Sequence, residues 1–180
     1  MDIQKFDCEG LLLIKPDVFS DERGHFLETF SNAKYAALGM PESFVQDNES
    51  FSHRLVLRGL HFQVPPHAQG KLIRVVRGSI FDVAVDIRKN SPTFGKWISV
   101  VLSDENKYQF WIPAGFAHGF LSLEESTVIN YKCTSLYHSA SERTLLWNDP
   151  ALQIAWPEKP QIVSSKDEKG ELFADFNSPF

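Results

Sequence analysis

The 180-residue chain is poor in several things, and each shortage removes a class of protein. Its only cysteines are Cys8 and Cys133, with no C-x-x-C pair, so neither a disulfide framework nor a cysteine zinc site can be built from them. No apolar run approaches membrane-spanning length, and the opening MDIQKFDCEG lacks the apolar core of a signal peptide. A reducing cytoplasm is the expected location. Lysine and arginine number 18 against 23 aspartate and glutamate, a net charge of −5, and the cations are scattered singly. Without a basic stripe, nucleic-acid binding is not expected; a small anion held by a few placed cations stays open.

What is present fits one ordinary globular domain, taken as 1–180, with 43% hydrophobic and 23% charged residues. Fifteen Phe and four Trp allow a ring-lined pocket, although Phe is first of all a core residue.

Strand patterns dominate. Ile80–Ile87 (IFDVAVDI) places Phe81, Val83, Val85 and Ile87 on one face, with Asp82 and Asp86 on the other. Leu72–Val76 precedes it, and the link Arg77-Gly78-Ser79 reads as a hairpin. Further strands are expected over Gly10–Ile14, Trp97–Leu102, Tyr108–Ile112, Val128–Cys133 and Thr144–Trp147. Helix is scarce: Ser31–Leu38, with Ser31 as N-cap and Gly39 beyond the end, and a second short helix near Pro150–Ile154. Many short strands between turns predict an all-β sandwich or barrel of jelly-roll type. The tail, roughly residues 168–180, carries Phe173, Phe176 and Phe180 and is expected to pack as an arm.

The chemistry-bearing residues gather in RGLHFQVPPHAQGK, Arg58–Lys71. PAGFAH, Pro113–His118, resembles the cupin pattern P-x-G-x-x-H, whose histidine joins an upstream H-x-H and a carboxylate around a metal. Here the upstream element is His61-Phe62-Gln63, and glutamine replaces imidazole poorly as a ligand. His67 lies beyond the Pro65-Pro66 break, so no metal is expected. His61 is then a proton-transferring base or a core histidine. A base needs a neighbour to fix its tautomer, and Asp82, Asp86, Asp149 and Asp167 are all eligible. In TVINYKC, Thr127, Ile129, Tyr131 and Cys133 share one strand face, so Tyr131 is either a buried tyrosine or a proton donor facing a pocket. RGHFLE (Arg23–Glu28) reads as a turn into a strand, VQDNES (Val45–Ser50) as a polar loop and SSKDEKG (Ser164–Gly170) as a solvated turn.

Taken in order, the motifs FSDERGHF, QDN, RGLHFQ, GKLIRVVRGSIFDVAVDIRKNSPTFGKW, WIPAGFAHGF, YKCTSLY, WNDP and SSKD resemble the dTDP-4-dehydrorhamnose 3,5-epimerase family, from Phe6 to Asp167. The resemblance implies a cupin-type jelly roll, a homodimer that exchanges strands, and catalysis without cofactor or metal. It implies inversion at C3 and C5 of dTDP-4-dehydro-6-deoxy-D-glucose. By motif match, His61 would be the base, Asp167 its partner, Tyr131 the acid, and Lys71 the group beside the C4 oxygen. Arg23, Phe26, Glu28, Gln46, Asp47, Asn48, Arg58, His118, Glu142 and Lys166 would contact the ligand, and Tyr137 would stack on thymine. These residue types suit the reaction. Each proton removed lies next to a ketone, so the carbonyl is the electron sink and the protein need supply only a base near pH 7, an acid on the opposite face and a cation at the oxygen.

Overall fold

Period-two alternation of apolar and polar residues shapes most of the chain, as a sheet with two different faces requires. A computed structural model describes residues 1–40 and 43–180. In it the chain forms β1 (Asp2–Lys5), β2 (Leu12–Lys15), β3 (Phe19–Asp21), β4 (Gly24–Phe26), β5 (Gln46–Ser52), β6 (Val56–Gln63), β7 (Lys71–Arg77), β8 (Ser79–Asp86), β9 (Trp97–Ser103), β10 (Gln109–Ile112), β11 (Phe116–Ser122), β12 (Thr127–Cys133), β13 (Glu142–Thr144) and β14 (Ile162–Val163). One short helix, α1 (Asn32–Ala36), follows β4.

Two sheets face each other as a jelly-roll sandwich. The first runs β1-β2-β10-β7-β12-β5; the second runs β13-β6-β11-β8-β9, with β14 added parallel to β6. Between them lie Leu13, Ile73, Val75, Phe110 and Ile129 from one sheet and Ile80, Ala84, Leu102, Phe116 and Phe120 from the other. Their burial supplies the main driving force for closing the sandwich. The outer faces are covered too. Tyr35 of α1, with Met40, packs on Leu12, Ile14, Leu72 and Trp111. The tail packs Phe173, Phe176 and Phe180 near Leu60, Phe62, Val83 and Val85 of the second sheet. The arm thus lies on its own chain, beginning at a 3-10 turn over Asp167–Lys169.

Several expectations are corrected. Arg77-Gly78-Ser79 does not close a hairpin, because β7 pairs with β10 and β12 whereas β8 pairs with β9 and β11. The link carries the chain from one sheet to the other. Gly78 makes that crossing at φ +78°, where a Cβ would lie 2.6 Å from the Thr127 hydroxyl. VQDNES is not a loop: Gln46–Ser52 is the edge strand β5, with alternating exposure along its length. Pro150–Ile154 is turn rather than helix, its N–H groups captured by the Asp149 carboxylate. The strand expected over Thr144–Trp147 ends at Thr144, and Leu145 makes only an isolated bridge to Glu171. Ser31 does occupy the N-cap of α1, but without a side-chain capping bond. No helix among the described residues is long and apolar enough to cross a membrane.

Candidate active site

At one end of the sandwich the interior changes from apolar to polar. On β7, Lys71 continues the inward face of Ile73 and Val75; on β12, Tyr131 and Cys133 continue that of Ile129. From the second sheet β6 presents His61 and Gln63, and β11 presents His118 opposite His61 in register. His61, Gln63, Lys71, Tyr131 and Cys133 line one cleft of about 300 Å³, so an imidazole and a phenol face each other from opposite sheets.

The His61 ring nitrogen Nε2 lies 2.6 Å from Asp167 Oδ1. With the proton on Nε2 and donated to the carboxylate, Nδ1 is left bare as an acceptor. Asp167 is buried, and its second oxygen accepts the Gly59 N–H at 3.3 Å. Gly59 sits at φ +136°, and a Cβ there would come within 2.4 Å of Gly119 Cα, so only glycine allows β6 to pass β11 this closely. Burial acts to raise the Asp167 pKa, but the bonds from His61 and Gly59 outweigh it and hold the carboxyl below its ordinary value.

The other eligible aspartates are spent elsewhere. Asp149 caps the N–H groups of Ala151, Leu152 and Phe173. Asp86 binds Arg88, Ser91 and Thr93. Asp82 binds His118. Of the four aspartates eligible as the partner of His61, the geometry selects Asp167.

Burial pushes the Tyr131 phenol above its usual range, so it stays protonated at neutral pH. Burial also draws the Lys71 ammonium down, opposed by Cys133, Asp82 and Glu142. At the cleft mouth a network joins the remaining residues. Gln46 accepts the Tyr137 N–H at 2.8 Å and donates to Asn48 Oδ1 at 2.9 Å. Glu142 accepts the Tyr137 hydroxyl at 3.1 Å and pairs with Lys166 at 2.6 Å. Tyr137 itself is 56% exposed, with its ring free for a ligand. Arg58, Lys166 and Asp167 line an adjoining cavity of about 460 Å³ that also touches His61.

Not every residue expected here arrives. Asp47 points away from the cleft and pairs with Lys132 on the outer face. Arg23, Phe26 and Glu28 belong to the β3–β4 hairpin and its continuation: Arg23 pairs with Asp21, Glu28 with Lys34, and Phe26 is 71% exposed. Gln63, Gln69 and Cys133 were not singled out as site residues, yet they line the cleft. For Cys133 the signal was available in its two-residue spacing from Tyr131. Gln63 donates to the His67 and Leu136 carbonyls and accepts the His138 N–H, buckling two loops together.

Residues 5–175 match the family model for dTDP-4-dehydrorhamnose 3,5-epimerase. An enzyme of that name from Methanothermobacter thermautotrophicus is 54% identical over 166 residues, spanning 91% of this chain and 89% of its own. A dTDP-6-deoxy-D-glucose-3,5-epimerase of Legionella pneumophila, solved with dTDP-4-keto-L-rhamnose, is 48% identical with TM-score 0.93, over 98% of this chain and 94% of its own. A 3'-monoepimerase of Streptomyces bikiniensis, solved with dTDP-quinovose, is 36% identical with TM-score 0.89, over 94% and 86%.

Proposed function

This chain belongs to the dTDP-4-dehydrorhamnose 3,5-epimerase family, and on that premise we propose that it inverts C3 and C5 of dTDP-4-dehydro-6-deoxy-D-glucose to give dTDP-4-dehydro-L-rhamnose. The observation that carries the mechanism is the placement of His61 and Tyr131 on opposite sheets around one cleft. Inversion needs a proton removed from one face of the sugar and returned to the other, and a sandwich supplies two facing walls.

His61 Nδ1 takes the proton next to the ketone, and Asp167 stabilises the imidazolium that forms. The electron pair moves to the C4 oxygen, where Lys71 meets the developing charge. Tyr131 gives its proton to the enolate carbon from the other wall. Arg58 and Lys166 face the diphosphate, with Glu142, Gln46 and Asn48 around the nucleotide sugar, His118 beside His61 on the neighbouring strand, and Tyr137 stacked on the thymine. The higher identity to double epimerases than to the 3'-monoepimerase favours action at both carbons.

The hairpin gives the reading of assembly. Phe19 and Phe26 are 65% and 71% exposed on a two-stranded ribbon that pairs with neither sheet. Such a ribbon is marginal alone and gains by docking. In a homodimer it carries Arg23, Phe26 and Glu28 to the other subunit's nucleotide. Two free cysteines suit the cytoplasm, where such a biosynthetic enzyme works.

The deciding experiment is to incubate the protein with the 4-keto sugar nucleotide in deuterated water and follow C3 and C5 by NMR. Deuterium at both carbons in a sugar of L configuration is expected. Exchange at one carbon alone, or none, overturns the assignment.

A further inference from the structure

Asp82 is fully buried and faces the interior between Ile80 and Ala84, both core residues. A carboxylate in such a position is costly unless its oxygens are satisfied. Asp86, two turns of the pleat further along β8, meets that demand: Arg88, Ser91 and Thr93 engage both its oxygens. Asp82 does not. Its Oδ1 accepts from His118 Nε2 at 2.8 Å, while Oδ2 is buried without a partner among the described residues. A half-satisfied carboxylate bonded to His118, behind the cleft, is not explained by stability.

We propose that Asp82 is a positioning residue of the reaction centre, fixing the tautomer of His118 and setting a negative charge in the same interior that Lys71 faces. With Nε2–H donated to Asp82, His118 presents Nδ1 as an acceptor for a sugar hydroxyl. Burial disfavours the charged forms of both Lys71 and His118, and in both Asp82 pulls the other way. Without that charge, a lysine so enclosed sheds its proton at lower pH and loses its value at a developing enolate. The titratable groups facing this pair are His61, Asp82, Tyr131, Cys133, Glu142 and Lys166. Of the carboxylates, Glu142 is paired with Lys166 at 2.6 Å, whereas Asp82 has one oxygen on His118 and the other without a partner among the described residues.

The role of Lys71 rests on the function proposed above, so the test has one arm that needs no substrate. Asp82→Asn preserves shape and removes charge. In the ligand-free protein, 1H–15N NMR is expected to show His118 protonated at Nε2 in the wild type and a mixed tautomer in the variant. With the 4-keto sugar nucleotide, the variant's kcat is expected to fall about 10- to 100-fold, the range for losing a bond to a charged buried group. KM and dTDP affinity should stay within about threefold, and the alkaline limb of the kcat profile should move to lower pH. Asp82→Glu, which keeps the charge, should return that limb toward its wild-type position. An unchanged His118 tautomer and alkaline limb in the Asn variant overturns the proposal. So does a loss of activity that merely tracks loss of dTDP binding and folded protein, or a Glu variant whose limb lies as low as that of the Asn variant. A wild type that does not turn over the sugar refutes the earlier reading, and the His118 tautomer then decides the case for Asp82.

Discussion

Two imidazole–carboxylate pairs are built on histidines of neighbouring strands, His61–Asp167 and His118–Asp82, and their differences separate the proposed base from the proposed support. Both rings present Nε2 to a buried carboxylate, at 2.6 and 2.8 Å. Yet the His61 side chain is 26% exposed, opening on two cavities, whereas that of His118 is 10% exposed. Burial therefore draws the His118 pKa down, away from the working range of a base. The carboxylates differ as well: Asp167 has both oxygens bonded, and Asp82 has one. The same two residue types perform different work because solvent reaches one ring and scarcely the other.

Four experiments can break or sharpen that contrast. His61→Ala should lower kcat by about a thousandfold or more, with dTDP affinity nearly unchanged by calorimetry. Substantial residual turnover would remove the exposed pair from the base role. Tyr131→Phe should abolish net inversion while exchange of the C3 and C5 hydrogens with solvent persists. If exchange and product formation vanish together, the second wall is not the acid. Asp167→Asn should cost roughly 500-fold or more in kcat by misorienting the ring, a larger loss than its counterpart at Asp82. Equal losses would erase the distinction between the pairs. The smallest effect concerns Asp86, the fully satisfied aspartate. Burial acts against its charge, but Arg88, Ser91 and Thr93 bring its pKa down to about 2, from 3.8 in the unfolded chain. Its stabilisation, about 2 kcal/mol, is therefore present above pH ~4 and lost as pH falls through ~2. Asp86→Asn should flatten that part of a denaturant-measured stability profile; an unchanged profile would show the charge to be idle.

Alternation in IFDVAVDI and TVINYKC located β8 and β12 and correctly put Tyr131 on an inward face. The same signal failed for β5, because QDNES carries almost no apolar residue. This strand borders the sheet and lines the cleft, so its pattern reflects an edge beside a polar cavity rather than core packing. The Gly78 link was misread for a different reason. A short glycine turn between two strand patterns is equally compatible with a hairpin and with a step between sheets, and only long-range pairing with β10, β11 and β12 decides. Asp167 could not be chosen from four aspartates by sequence chemistry alone, since its value lies in a contact across 106 positions. The hairpin residues Arg23, Phe26 and Glu28 were recognised by motif, and the single chain leaves them away from the cleft.

The Asp167 carboxylate rides on a three-residue 3-10 turn beyond the last strand, whose own N–H groups bond locally to Ser164 and Lys166 rather than to either sheet. Segments of this kind open at lower cost than the sheets they dock against. On heating, activity should consequently fade before the cooperative melt, as the tail lifts and carries the aspartate away from an imidazole that the sandwich still holds in place.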